Sequence, residues 1–189
     1  MYILYAKMID NMNKQEQRLI CKNNLSKLTD IQKNEYSKII CDKVLALLNK
    51  NKILSYKPTK QEVNVTTINN LLNPYYPVTI DEHKMEAYKV TNDDFIINRF
   101  GIQEPNKNTS TLINPTDIEI IIVPLLGFDD KCNRLGHGLG YYDNYLIRCH
   151  KAIKIGVGFE AQKLDHIICN DNDIKLDLIV TEKNIYKLI

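Results

Sequence analysis

The apolar run at residues 118–123 constrains the fold more than any other part of the chain. It reads Ile-Glu-Ile-Ile-Ile-Val and is followed by Pro124. A near-continuous apolar run of this length suits a strand that is covered on both faces, as in parallel sheets. Proline then ends the strand, because it has no N–H to donate to a sheet ladder. The run therefore predicts the central strand of an α/β protein.

Strand and helix patterns alternate along the rest of the chain. Apolar residues at helical spacing predict helices over 13–28, 30–49, 65–72 and 141–149. Further strands are predicted over 52–56, 76–80, 86–90, 153–159 and 176–181. The segment 103–117 is rich in Pro, Asn, Thr and Ser, and is predicted to be a long loop. Such alternation favours a three-layer α/β/α sandwich with a mostly parallel, Rossmann-like central sheet.

Length and composition exclude several classes of protein. The 189 residues, 44% hydrophobic and 25% charged, suit one globular domain over 1–189, with the residues before about 13 as a flexible extension. A net charge of +2 argues against a nucleic-acid partner, and no apolar run is long enough to span a membrane. Five scattered cysteines without a C-x-x-C pair are typical of a reducing compartment. We expect a cytoplasmic monomer that acts on small molecules.

The distribution of glycine indicates where a ligand binds. Six of the seven glycines lie between Gly127 and Gly158, and three of them alternate at 136, 138 and 140, just before a predicted helix. Ligands of open α/β sheets bind beyond the carboxyl ends of strands, and this segment follows the central strand. Glycine lets the backbone approach a bulky anion, and successive N–H groups supply positive potential. Arg134 adds a planar donor fork that matches phosphate.

The spacing alone leaves alternatives open. G-x-G-x-G differs from the dinucleotide motif and from the P-loop, and a tight turn without a ligand explains such a run equally well. Tyr141 and Tyr142 could stack on a flat heterocycle or pack in the core. Asp143 could hold Mg²⁺ or serve as an acidic residue at a helix start.

The longer segment resembles a known signature. Arg134-Leu-Gly-His-Gly-Leu-Gly-Tyr-Tyr-Asp143, preceded by Val-Pro-x-x-x-Phe-Asp, is similar to the signature of the 5-formyltetrahydrofolate cyclo-ligases. Shorter matches follow in the family's order: Lys14-x-x-x-Arg18, Tyr56 with Glu62-Val63 and Thr66, Gly101-Ile-Gln-Glu-Pro105, Ile155-Gly-Val-Gly-Phe159 with Gln162, Asn172-Asp173, Asp177 and Val180-Thr-Glu182. The sequence departs from the family at Asn172, where many members have His, and at His137, where Lys, Arg or an aromatic residue is commoner.

The resemblance implies a reaction. Members of the family convert 5-formyltetrahydrofolate and MgATP into 5,10-methenyltetrahydrofolate, ADP and phosphate, with the formyl oxygen phosphorylated before ring closure. This implies Mg²⁺ as cofactor and ATP as co-substrate. Such chemistry depends on positioning and charge stabilisation, which suits a segment with glycines, basic groups and carboxylates but no evident nucleophile.

The resemblance also implies roles for individual residues. The ATP-binding set is Lys14, Arg18, Arg134, Leu135, Gly136, His137, Gly138, Leu139, Gly140, Tyr141 and Tyr142. The folate-binding set is Glu62, His137, Gly138, Leu139, Gly140 and Tyr141, the metal ligands are Asp143 and Asp173, and the catalytic residues are Arg134, His137 and Tyr141. Without the resemblance, the residues outside the glycine segment would suit a solvated helix face or surface turns equally well.

Three other functions compete with this one. A cyclo-ligase-like protein without catalysis could bind nucleotide as a regulatory module, but the retained basic and acidic residues argue against it. An ATP-dependent enzyme on the same scaffold could act on another amide or vitamin, and only a substrate screen separates it. A NAD-binding oxidoreductase fits the α/β pattern but fails on the glycine spacing.

Overall fold

The computed structural model describes residues 12–49 and 52–188 of the chain. Most of the predicted amino-terminal extension therefore lies outside the described residues. The helices are α1 (Lys14–Leu25), α2 (Asp30–Leu47), α3 (Thr66–Leu72) and α4 (Tyr141–Leu146). The strands are β1 (Ile53–Leu54), β2 (Tyr76–Thr79), β3 (Met85–Lys89), β4 (Phe95–Ile97), β5 (Gln103–Pro105), β6 (Thr111–Ile113), β7 (Ile120–Pro124), β8 (Gly127–Phe128), β9 (Arg134–Leu135), β10 (Ile153–Val157), β11 (Leu178–Val180) and β12 (Ile185–Lys187).

The first two helices begin at capping boxes. The Asn13 side chain accepts hydrogen bonds from the backbone of α1, and the Glu16 carboxylate accepts one from the Asn13 N–H in return. Thr29 and Gln32 make the same reciprocal pair at α2, so the predicted start of this helix is confirmed. The buried face of α2 is centred on Ile40 and Val44, whereas Ile39 and Leu47 on the same helix are exposed.

A five-stranded sheet with the order β1-β7-β10-β11-β12 forms the centre of the protein. The first four strands are parallel, and only β12 runs antiparallel to its neighbour. As predicted, β7 lies inside the sheet, between β1 and β10, and its first four residues are buried. The α/β fold class is therefore confirmed.

The two faces of this sheet bury separate cores. Ile120 and Ile122 pack with Ile40 and Val44 of α2 on one face. Ile121 and Val123, which point to the opposite face, pack with residues of α4 and β3. The three layers are thus α2 with α3, the central sheet, and α4 together with a small sheet of the order β2-β3-β6.

The prediction of a loop over 103–117 is wrong. This segment holds β5, which pairs with β4, then β6, which pairs with β3, and a 3₁₀ turn at Pro115–Asp117. Strands of three residues are too short to show an alternating pattern among Asn, Thr and Pro, so the sequence gives no strand signal here. The outcome bears on function, because β5 holds a buried carboxylate, Glu104, beside the cleft described next.

Candidate functional site

A cleft of about 900 Å³ opens at the carboxyl end of β7, where Pro124 lines it. Every residue that the sequence placed in a site lines this one cleft. They are Lys14, Arg18, Glu62, Arg134, Leu135, Gly136, His137, Gly138, Leu139, Gly140, Tyr141, Tyr142, Asp143 and Asp173. Residues far apart in the sequence are thus brought together where an α/β sheet is expected to bind its ligand.

Arg134 lines the cleft. Its side chain, only 4% exposed, donates from Nη2 to Oδ2 of Asp143 at 2.8 Å, and its guanidinium lies 5.6 Å from the centre of the Tyr142 ring. The Nε of Arg134 is buried and has no hydrogen-bond partner among the described residues. Nη1 also donates to none of the described residues but is not fully enclosed, so it is the atom of this guanidinium that is suited to receive an anion from the cleft.

The glycine segment 136–140, here called the glycine loop, packs against α1. The Nε of Arg18 donates to the carbonyl oxygen of Gly136 at 2.9 Å. Gly138 has a φ of +108°, and a Cβ there would lie 3.3 Å from the Arg18 guanidinium carbon. A side chain at 138 would therefore strain the backbone and crowd this arginine, so the loop needs glycine at this position.

A hairpin turn holds the other side of the glycine loop. The turn between β2 and β3 contains His83, whose Nδ1–H donates to the carbonyl of Leu139 at 3.0 Å. The Tyr141 hydroxyl donates to the carbonyl of Asp81 at 3.0 Å, and the Asn144 amide donates to the carbonyl of His83 at 3.1 Å. Sequence reasoning missed these contacts, because they join segments about 60 residues apart and involve no motif.

The two predicted metal ligands are each paired with a cation. Asp143 pairs with Arg134, and Asp173 pairs with Lys14 on α1. Asp173 also accepts a hydrogen bond from the backbone of Asn170 at 2.6 Å. Within 12–49 and 52–188, no group of three or more His, Cys, Asp or Glu residues could hold a metal. Two carboxylates nonetheless fit Mg²⁺, which commonly takes one or two protein carboxylates and completes its shell with phosphates and water.

Glu62 and His137 both line the cleft, and the two side chains interact electrostatically. Glu62 accepts hydrogen bonds from the backbone and the hydroxyl of Thr59, each at 2.9 Å. Partial desolvation in the cleft lowers the pKa of His137, against the nearby charge of Glu62, so its imidazole is neutral at pH 7. Burial, reinforced by Glu62, raises the pKa of Tyr142, which therefore stays protonated.

Several cleft residues were given no role by the sequence. Glu104, Thr79 and Asn98 line the cleft, as do the apolar side chains of Phe100 and Ile102. Most of these lie in or beside the Gly101–Pro105 motif, which matched the family as a turn and carried no functional assignment. No local signal marks Glu104, because its burial depends on the pairing of β4 with β5.

The chain is similar to known proteins over most of its length. The model of the 5-formyltetrahydrofolate cyclo-ligase family matches residues 10–182. The chain belongs to this family. A Schizosaccharomyces pombe relative named "Probable 5-formyltetrahydrofolate cyclo-ligase" is 32% identical over 203 residues, which cover 95% of this chain and 100% of the relative. The 5-formyltetrahydrofolate cyclo-ligase of Mycoplasma genitalium is 32% identical over 86% of this chain and 98% of its own length.

Solved structures of cyclo-ligase family members share the fold. The 5,10-methenyltetrahydrofolate synthetase of Aquifex aeolicus superposes with a TM-score of 0.81 at 29% identity, covering 94% of this chain and 93% of that one. The 5,10-methenyltetrahydrofolate synthetase of Mycoplasma pneumoniae gives a TM-score of 0.71 at 25% identity, with 90% and 99% covered. Both the sequence resemblance and the predicted fold class are confirmed by these matches. Among the described residues, no helix is long and apolar enough to cross a membrane.

Proposed function

We propose that the cleft catalyses the ATP- and Mg²⁺-dependent conversion of 5-formyltetrahydrofolate to 5,10-methenyltetrahydrofolate, with release of ADP and phosphate. The observation that carries the proposal is the guanidinium of Arg134, whose Nη1 has no hydrogen-bond partner among the described residues and is not fully enclosed, in the same cleft as the glycine loop and Glu62. Family membership supports the reaction. The basic residues and the glycine loop that line the cleft support ATP as the co-substrate. We further propose that the chain acts as one domain and as a cytoplasmic monomer on small molecules, with neither nucleic acid nor membrane as partner.

The chemistry starts from a poor electrophile. The formyl carbon is an amide carbon, into which nitrogen donates electrons. Transfer of the γ-phosphoryl group to the formyl oxygen gives an iminium phosphate, whose carbon is open to attack. The second amine nitrogen of the folate then forms the new C–N bond, and phosphate leaves with the former formyl oxygen. The protein must mainly hold the two substrates in line and stabilise charge on the phosphoryl oxygens.

Basic residues on one side of the cleft suit this task. Arg134, Arg18 and Lys14 contribute positive charge beside the glycine loop, whose small residues allow close approach of phosphates. Asp143 and Asp173 would hold Mg²⁺, which neutralises phosphate charge during phosphoryl transfer. Removing one preorganised cation from a developing charge typically costs a large part of the rate.

The remaining predicted residues suit the folate. Glu62 offers a carboxylate oxygen near the glycine loop, and the Tyr141 ring and the backbone of His137–Gly140 line the same space. The neutral imidazole of His137 can accept a proton during ring closure at pH 7. Tyr141 is held by its hydrogen bond to Asp81, so its ring has a fixed position beside the substrate.

A direct assay tests the proposal. Purified protein with 5-formyltetrahydrofolate, ATP and Mg²⁺ should generate the absorbance of methenyltetrahydrofolate, with one ADP released per product. Leaving out ATP or chelating Mg²⁺ should abolish the signal. Absence of product from all three components across a range of pH would contradict the proposed reaction, whereas nucleotide binding without turnover would favour a regulatory module.

A further inference from the structure

Glu104 is a buried carboxylate that the proposed mechanism does not use. It lies on β5, is only 7% exposed and lines the cleft. Buried carboxylates are rare unless they are paired or hydrogen-bonded, and among the described residues no ion pair to Glu104 occurs. What satisfies its two oxygens is therefore informative.

The two oxygens of Glu104 are used very differently. Oε1 accepts three hydrogen bonds, from the backbone N–H of Thr79 at 3.1 Å, from the Thr79 hydroxyl at 2.6 Å and from the Asn98 amide at 2.7 Å. Oε2 accepts none from the described residues. Oε2 is not fully enclosed by the described residues, so it keeps access to the cleft.

The three donors fix the carboxylate in place. Thr79 is the last residue of β2, and Asn98 follows β4, so two separate strands hold Oε1. The Asn98 side chain is itself held, because its other atom, Oδ1, accepts from the backbone of Phe100 and Ile102 at 2.9 and 3.0 Å. A carboxylate immobilised in this way presents its free oxygen in one direction, which is the property of a recognition group rather than of a solvated side chain.

Apolar and aromatic side chains line the cleft around this carboxylate. They belong to Tyr56, Pro77, Met85, Phe100 and Ile102. An immobile acceptor oxygen among flat and apolar surfaces suits a planar heterocycle with N–H donors on its edge. The pterin ring of a folate carries such an edge, with a 2-amino group next to a ring N–H.

We propose that Oε2 of Glu104 accepts a hydrogen bond from the amino-pyrimidine edge of the pterin and thereby sets the specificity of the cleft for folates. The proposal rests on the proposed function and adds a residue to it. Glu104 acts in substrate recognition and takes no part in phosphoryl transfer. Its loss should therefore raise KM for the folate and leave KM for ATP unchanged.

Two glutamine substitutions make a matched test. Glu104→Gln keeps an oxygen for Thr79 and Asn98 but turns the free acceptor into an NH₂ donor. KM for 5-formyltetrahydrofolate should rise about 10- to 100-fold, the usual weight of a hydrogen bond to a charged group. Glu160→Gln is the control, because Glu160 also accepts from three side-chain donors but lies outside the cleft. It should leave both KM values unchanged.

A substrate analogue separates recognition from mere support of the fold. Replacing the 2-amino group of 5-formyltetrahydrofolate by a methyl group removes the proposed donor. Wild-type protein should lose about as much affinity for the analogue as Glu104→Gln loses for the folate, and the variant should discriminate little between the two compounds. Equal discrimination by variant and wild type, or an unchanged KM in Glu104→Gln, would overturn the proposal.

A failure of the role proposed for Glu104 can be distinguished from a failure of the proposed reaction. If wild-type protein shows no turnover, the cyclo-ligase reaction fails, and the same four combinations are then measured as equilibrium binding by calorimetry. Coupling between the carboxylate and the 2-amino group in those affinities would still support the inference, and purely additive losses would overturn it.

Discussion

Two glutamates, each with three hydrogen bonds, distinguish the cleft from the rest of the molecule. At Glu160, Tyr186 and Asn184 donate to Oε1 and Thr181 donates to Oε2, so both oxygens are engaged within the protein. At Glu104, all three donors reach Oε1, and Oε2 has no donor among the described residues. The first arrangement is closed, whereas the second is open towards the cleft.

Buried polar groups in this fold therefore belong to two kinds of hydrogen-bond network, closed and open. In a closed network, hydrogen bonds within the protein offset the cost of burying the polar atoms. Such a network therefore contributes to the stability of the fold. An open network leaves a group unsatisfied but accessible, and here the open groups, Glu104 Oε2 and Arg134 Nη1, both belong to cleft residues. Some unpaired atoms, such as the Tyr145 hydroxyl, lie in residues outside this cleft, so lack of a partner is informative only together with access to the cleft.

The largest expected effect comes from removing the side chain of Arg134, the buried arginine that lines the cleft. Arg134→Ala should lower kcat about 1,000-fold, because a preorganised donor to the transferred phosphoryl group is lost. The measurement is the initial rate of methenyltetrahydrofolate formation at saturating substrates, divided by the folded fraction from a urea unfolding curve. The correction is needed because Asp143 loses its cation partner in this variant.

Arg148→Ala is the matched control for this variant. Arg148 also pairs with a carboxylate, donating to Glu86 at 2.9 Å, and it also lies over a tyrosine ring, but it does not line the large cleft. Its removal should leave kcat nearly unchanged. Similar losses in both variants would show that the position of Arg134 in the cleft does not matter, and would contradict its role in binding the phosphoryl group.

The smallest expected effect concerns Glu160, the glutamate with the closed network. Burial acts to raise the pKa of Glu160, but hydrogen bonds from Thr181, Tyr186 and Asn184 outweigh it, so the pKa lies below its ordinary value of 4.5. A carboxyl group with a lower pKa in the folded state stabilises the protein above pH 4.5, and this contribution disappears as the pH falls through the folded-state pKa.

The free energy of unfolding of wild-type protein should therefore fall as the pH is lowered from about 5. In Glu160→Gln the fall should be shallower, because the titrating group is gone. Urea unfolding of both proteins at several pH values gives the comparison. Parallel curves for the two proteins would mean that the network of Glu160 does not favour the ionised form.

Local patterns predicted the frame of the fold and, through the family resemblance, candidate residues for the site. The apolar run before Pro124 predicted the inner strand β7, since burial on both faces leaves little room for polar residues. The glycine spacing drew attention to the segment Arg134–Asp143, and the family resemblance then assigned its residues and the pair Lys14 and Arg18 to a site. The structure brings them to one cleft, although their assigned roles stay predictions.

Long-range pairing decided what the sequence could not predict. The contacts of His83 and Asp81 with the glycine loop depend on where the β2–β3 hairpin packs. The burial of Glu104 depends on the register of β4 with β5, in which Glu104 lies opposite Ile96. Neither is encoded in a local pattern, because a three-residue strand carries too little periodicity to set its own register.

The fate of the formyl oxygen shows whether this oxygen is phosphorylated before ring closure. With ¹⁸O in the formyl group of 5-formyltetrahydrofolate, a single turnover with ATP and Mg²⁺ in ordinary water transfers that oxygen to the phosphoryl group. Mass spectrometry should then find one ¹⁸O in each inorganic phosphate released. Unlabelled phosphate alongside methenyltetrahydrofolate would contradict phosphorylation of the formyl oxygen in this cleft.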